Sequence, residues 1–152
     1  MEKKINRLFI KVIAAFLAVI LLTPVHAQAA VPETVSPMAS SYLSSYTAYI
    51  CAMGDGELQI WFEVLGTRTQ EYLGALIVYL YESTDNDNFY WVETFRHNEH
   101  TNMLAQSTYF HMSYVSYEGV PGRYYKAYVG IWGGPDDTGD SRYIWTPVEI
   151  CT

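Results

Sequence analysis

Asp136-Asp137-Thr138-Gly139-Asp140 gathers three carboxylates within five residues. Asp136, Asp137 and Asp140 are hard oxygen donors of the kind Ca²⁺ prefers, although the spacing is not that of an EF-hand loop. A solvated turn would use the same residues. Asp85-Asn86-Asp87-Asn88 offers similar oxygens and reads as a turn between strands. His97 and His100 share one segment, and His111 would complete a three-nitrogen metal site if the fold brought it close. Exposed loop histidines are the alternative. No serine stands in a Gly-x-Ser-x-Gly elbow, and no cysteine–histidine nucleophile pair is apparent. Glu63 and Glu93 are acids of the type that glycosidases pair, but strand faces scatter them. Neither an enzyme nor a cofactor is expected.

Cys51 and Cys151 are the two cysteines. In an exported chain they suggest a single disulfide, or else two free buried thiols. Two thiolates with no nearby histidine supply too few ligands for zinc.

Export itself is read from the first 29 residues. Lys3, Lys4, Arg7 and Lys11 form a positive region, and an apolar stretch runs from Val12 to Leu22. Ala27-Gln28-Ala29 is a small-x-small cleavage site. The stretch is short for a membrane span. Residues 1–29 are therefore expected to be a signal peptide, residues 30–40 a flexible tether rich in Pro, Ser and Ala, and residues 41–152 one folded domain. The expected product is secreted and carries no membrane anchor after signal removal.

Without residues 1–29, five Lys and Arg face fifteen acids, a net charge of −10. Phosphate binding needs clustered bases, so a nucleic-acid partner is not expected. About 120 residues is enough to bury a core of its own.

The elements that must position these groups are strands. Tyr, Val, Ile, Thr and Trp are abundant and no amphipathic helix is found. The first strand is expected over residues 41–51, followed by a Gly54-Asp55-Gly56 turn. Leu58, Ile60, Phe62 and Val64 then alternate with Glu57, Gln59, Trp61 and Glu63, which assigns the first set to the core. Residues 66–74 read as a loop and 75–82 as a central strand with Leu76, Val78 and Leu80 inward. Further strands are expected at 89–96, 106–115, 123–132 and 141–150, with a long loop at 97–105. Tyr125, Ala127, Val129 and Ile131 share one face. Seven short strands at this spacing form the pattern of an all-β antiparallel sandwich.

Residues 121–146 resemble the end of a fibronectin type III or related immunoglobulin-like domain. Pro121 precedes Tyr125 by four residues, Ala127 and Val129 continue the alternation, and Gly139-x-Ser141 leads into the last strand. Two positions depart: Phe62 stands where the family carries an early Trp, and Gly119 where it carries a Leu. More loosely, the chain resembles small exported proteins of Gram-positive bacteria. The resemblance implies that the Tyr125 hydroxyl pins the loop before its strand. It implies that the third, sixth and seventh strands are neighbours, with Ile144 and Val148 inward. In some such domains the first and last strands run side by side, which would bring Cys51 to Cys151.

That placement puts Tyr79, Tyr81, Tyr124, Tyr128, Trp132, Tyr143 and Trp145 on one outer surface. Flat amphipathic rings on a rigid sheet suit stacking on a carbohydrate or a cell-surface protein. The alternative is an aromatic ladder that only stabilises the sheet. The expected function is a secreted binding module. A structural or surface-coat protein with no discrete ligand site is the other class of reading.

Overall fold

The structure is a computed structural model that describes residues 40–152. The expected signal peptide and all but the last residue of the expected tether lie outside the described residues. Among the described residues, no helix is long and apolar enough to cross a membrane.

Seven strands form one antiparallel sheet: β1 (Leu43–Gly54), β2 (Glu57–Ser83), β3 (Tyr90–Arg96), β4 (Leu104–Glu118), β5 (Tyr124–Gly134), β6 (Asp140–Trp145) and β7 (Glu149–Ile150). The first half of β2 pairs with β1 on one side and β4 on the other. Its second half lies between β3 and β5. The outer edge of β5 carries β6 and β7. The sheet thus has two halves, β1–β2–β4 and β3–β2–β5–β6, which share a single buried core. This arrangement is compatible with a β-sandwich.

The alternation read in the sequence defines the core. Leu58, Ile60, Phe62 and Val64 are fully buried, as are Tyr125, Ala127, Val129 and Ile131. They meet Tyr46, Ala48 and Ile50 of β1 and Val78 and Leu80 of β2. The Gly54-Asp55-Gly56 turn has positive φ at all three residues, a conformation two glycines adopt without a Cβ penalty.

Several expectations are corrected. Residues 66–74 are not a loop, because β2 runs unbroken through them. The polar run hid the strand. Its one buried polar residue, Gln70, satisfies its amide by donating to the carbonyls of Tyr42 and Arg68. The pairing with β4 slips between Leu65 and Gln70, so the strand bends here from one half of the sheet to the other. Leu76 is only half-buried. A bulge between Ala75 and Ile77 gives inward positions to Leu73 and Ala75 before it and to Val78 and Leu80 after it. Val148 is exposed rather than inward. The expected last strand is split, because Pro147 has no N–H to donate to a ladder. Just before it, Thr146 turns inward: its Oγ1 accepts the Ala127 N–H and its own N–H donates to the Ala127 carbonyl. The expected loop 97–105 contains a short 3₁₀ turn, Thr101–Met103, which buries Met103.

No disulfide joins Cys51 to Cys151; both are free thiols. Cys51 sits on the outer side of β1, between the inward-facing Ile50 and the partly buried Ala52. Cys151 is buried in the core, with its Sγ donating to the Gly56 carbonyl at 3.4 Å. The two side chains start on opposite sides of the sheet, and that geometry does not bridge.

The Tyr125 hydroxyl accepts the Val120 N–H at 2.9 Å, so it does pin the turn before β5. It also donates to the Glu82 carboxylate, which Arg123 pairs with. Gly119 shows why a larger residue is missing at its position. A Cβ there would lie 2.9 Å from Leu58, and 3.1 Å from both Cys151 Sγ and the Tyr125 ring.

Candidate functional site: an aromatic sheet face

The second half of β2, with β5 and β6, builds the outer face on which the aromatic residues converge. Register places Tyr79 opposite Tyr128, Tyr128 opposite Trp145, and Tyr143 opposite Gly130. Such directly opposed pairs bring side chains into contact. Tyr128 stacks on Tyr143 at 5.1 Å between centroids with 24° between planes. It lies 4.6 Å from Trp145, which in turn is 5.3 Å from Tyr81. Tyr143 and Trp145 keep half their surface open, at 50% and 46%.

Gly130 lets the Tyr143 ring lie low over β5. A Cβ at Gly130 would stand 2.9 Å from that ring and 2.8 Å from Ile77. Lys126 projects among the same rings. Its Nζ lies 4.0 Å from the Phe89 centroid and 4.9 Å from that of Trp145, both cation–π distances.

Two of the seven sequence-derived residues stand apart from this cluster. Trp132 is covered by the β5–β6 loop; a Cβ on Gly139 would fall 2.4 Å from its ring. Tyr124 faces outward at the far end of β5, opposite Ser83 and Ile150. Conversely, Trp91 and Phe89 join the face without having been read there. Trp91 is 61% exposed and pairs with Tyr81. A bulge in the β2–β3 pairing between Leu80 and Tyr81 sets it on that face, and alternation alone does not reveal a bulge. Phe89 is positioned by the preceding turn. There the Asp85 carboxylate accepts bonds from Ser83 Oγ and from the N–H groups of Asp87 and Asn88. Those bonds, Asn88 foremost, hold the Asp85 carboxyl well below the usual carboxylate range.

The other half of the sheet carries a second aromatic row that sequence reading passed over. Trp61 lies 4.5 Å from Tyr114 and stacks on Tyr49 at 6.4 Å.

The ligating candidates disperse. Asp140 is occupied, its Oδ2 accepting from Ser40 Oγ at 2.6 Å and the Ser41 N–H at 3.1 Å. The Ser40 bond, with the others, draws its carboxyl below the ordinary value. Asp136 lines a hollow beside His97, and Asp137 is exposed. His100 packs its ring against Phe95, while the His111 ring packs against Phe62 and its Nε2 meets the Asn102 carbonyl. Among the described residues, no three His, Cys, Asp or Glu side chains stand close enough to hold a metal ion. Burial pushes both thiols above their ordinary value, with Glu149 adding to this at Cys51 and Glu82 at Cys151. Neither is set up as a thiolate nucleophile.

No protein-family model matches the chain, and no curated protein matches it.

Proposed function

We propose that this chain is a secreted immunoglobulin-like β-sandwich that binds a carbohydrate on the aromatic face of β2, β5 and β6. The observation that carries the reading is the cluster in which Tyr128 packs against both Tyr143 and Trp145, the latter two rings half open to solvent. Rings held in place by their neighbours lose little freedom when a flat ligand stacks on them. The adjacency of the second half of β2, β5 and β6, which hold the expected third, sixth and seventh strands, and the Tyr125 bond to the turn support the immunoglobulin-like assignment. The signal-like residues 1–29 support export, and the acid-rich composition speaks against polyanionic partners.

The test is binding of the purified protein to an array of neutral glycans, with Trp145→Ala beside it. Stacking energy concentrates in a few Trp and Tyr residues. Trp145→Ala should abolish binding and leave the thermal midpoint close to wild type. The ring-to-ring contacts across strands favour one second reading, a ladder in a structural protein with no discrete ligand. That reading predicts a lowered midpoint and no glycan bound by the wild type. Capture of a cell-surface protein instead, sensitive to Trp145→Ala, would reassign the face to protein recognition.

A further inference from the structure

We propose that the aromatic face prefers a glycan whose stacked sugar carries a single carboxylate, and that Lys126 is the residue that recognises it. The proposal rests on the carbohydrate reading of the face and names the ligand class. Lys126 is the only lysine beyond residue 29. It stands opposite Tyr81 on the outer side of β5 and is half-buried. Its Nζ lies over the Phe89 ring at 4.0 Å and the Trp145 ring at 4.9 Å. Among the described residues, the one ion pair joins Arg123 to Glu82. The Lys126 ammonium therefore faces rings and no carboxylate, on a chain with fifteen acids beyond residue 29.

The acids of the surrounding strands are turned away or occupied. Between Ile77 and Ser83, β2 has only Glu82, which bonds Tyr125 and Arg123. Glu93 of β3 stands opposite the buried Leu80, and Glu149 of β7 opposite the buried Tyr125. Asp140 of β6 accepts from Ser40 and Ser41. β5 has no acid at all. A second base does join the face. Arg96 stands opposite Ile77, which flanks Gly130 beside the Tyr143 ring, and register-opposed residues share a face. The outward positions of these strands thus hold two cations and no carboxylate.

Two arguments set the ligand class. The rings on either side of the Lys126 ammonium displace part of its water and hold it in place. A carboxylate completes its coordination with a charge-assisted hydrogen bond, about twice as strong as a neutral one such as a hydroxyl makes. A sugar stacked on the neighbouring rings presents its substituents at its rim, where that ammonium stands. The second argument limits the charge to one group. At physiological ionic strength the Debye length is about 8 Å, so a single carboxylate on the face responds to the local cations. A polyanion longer than that meets the acid-rich remainder of the surface and is repelled.

The experiment is binding of the purified protein to glycans ending in a uronic or sialic acid, each beside its carboxyl-reduced, neutral counterpart. In at least one pair the carboxylated glycan should bind about tenfold more tightly, a difference of about 1.4 kcal/mol, with the neutral one still bound. The advantage should shrink as salt is raised toward about 1 M, where the Debye length falls to about 3 Å. Lys126→Met keeps an apolar stem between the rings and removes the charge, so it should bring both members of the pair to the same affinity. Lys126→Arg keeps the charge and should keep the preference. Equal affinity in the wild type, a preference that survives Lys126→Met or high salt, or one that Lys126→Arg loses overturns the role of Lys126 and leaves the aromatic face standing. Binding of no glycan by the wild type, carboxylated or neutral, overturns the face reading and the proposal with it.

Discussion

Tyr125 serves two partners through one hydroxyl, accepting from Val120 N–H and donating to Glu82. Burial, then the bond to Glu82, pushes its pKa far above the ordinary tyrosine value, so it stays a neutral donor. Tyr125→Phe keeps the ring and leaves the part-buried Val120 N–H and the Glu82 carboxylate each short of a partner. An unsatisfied buried group costs about 1–3 kcal/mol. Urea melts should show a loss in that range, and an unchanged midpoint would mean water replaces the hydroxyl. Asp85 makes a different prediction. Its folded pKa lies below the ordinary 3.8, so its contribution is full above that value and is lost as pH falls below it. Asp85→Ala should therefore flatten the acid limb of the stability profile relative to wild type. Parallel acid limbs would show that the turn does not depend on the charge.

At the scale of elements, β2 was legible where its pattern was regular and hidden where it was not. Leu58, Ile60, Phe62 and Val64 alternate without interruption, and all four are buried. Phe62→Ala should cost about 3–5 kcal/mol. Trp61→Ala, on the half-open outer side, should cost much less; equal losses in denaturant melts would contradict the register. Past Leu65 the pattern fails, because four residues are spent on a bend and Leu76 on a bulge. Neither irregularity has a period to detect, so residues 66–74 looked like a loop. The same blindness left Trp91 off the aromatic face, whereas Val148 was put inside by carrying the last strand through Pro147. Gly74, between the bend and the bulge, carries a strict requirement. Gly74 has φ +150°, and a Cβ there would lie 2.2 Å from the Met103 carbonyl and 3.1 Å from Leu104 Cα. Backbone cannot retreat as a side-chain tip can. Gly74→Ala should give protein that is insoluble or melts far below wild type, and a normal melt would show that the 3₁₀ turn is free to shift.

At the scale of the whole molecule, the chain's last residues close one end of the core. Thr152 accepts the Gly56 N–H, Cys151 exchanges backbone bonds with the 122–123 turn, and its thiol points at Gly56. The β1–β2 turn, the β4–β5 turn and residues 151–152 are thereby tied into one seam. Composition suggested a disulfide for this end, since it shows two cysteines and not the side of the sheet each one faces. With Cys151 in the core and Cys51 outside it, the two thiols should report different events. Cys51 is half-buried, so small local motion exposes it. Cys151 reaches solvent only when the seam opens, and opening of a core seam approaches the cost of global unfolding. Iodoacetamide should therefore modify native protein at Cys51 first. Labelling of Cys151 should be slow and should accelerate with urea in parallel with the unfolding transition. Raising the pH should speed both reactions only above the ordinary thiol range, since burial favours the protonated form at each site. A native mass two units below that of the dithiol, with no alkylation at either position, would show a Cys51–Cys151 bridge and a different arrangement of this end of the core.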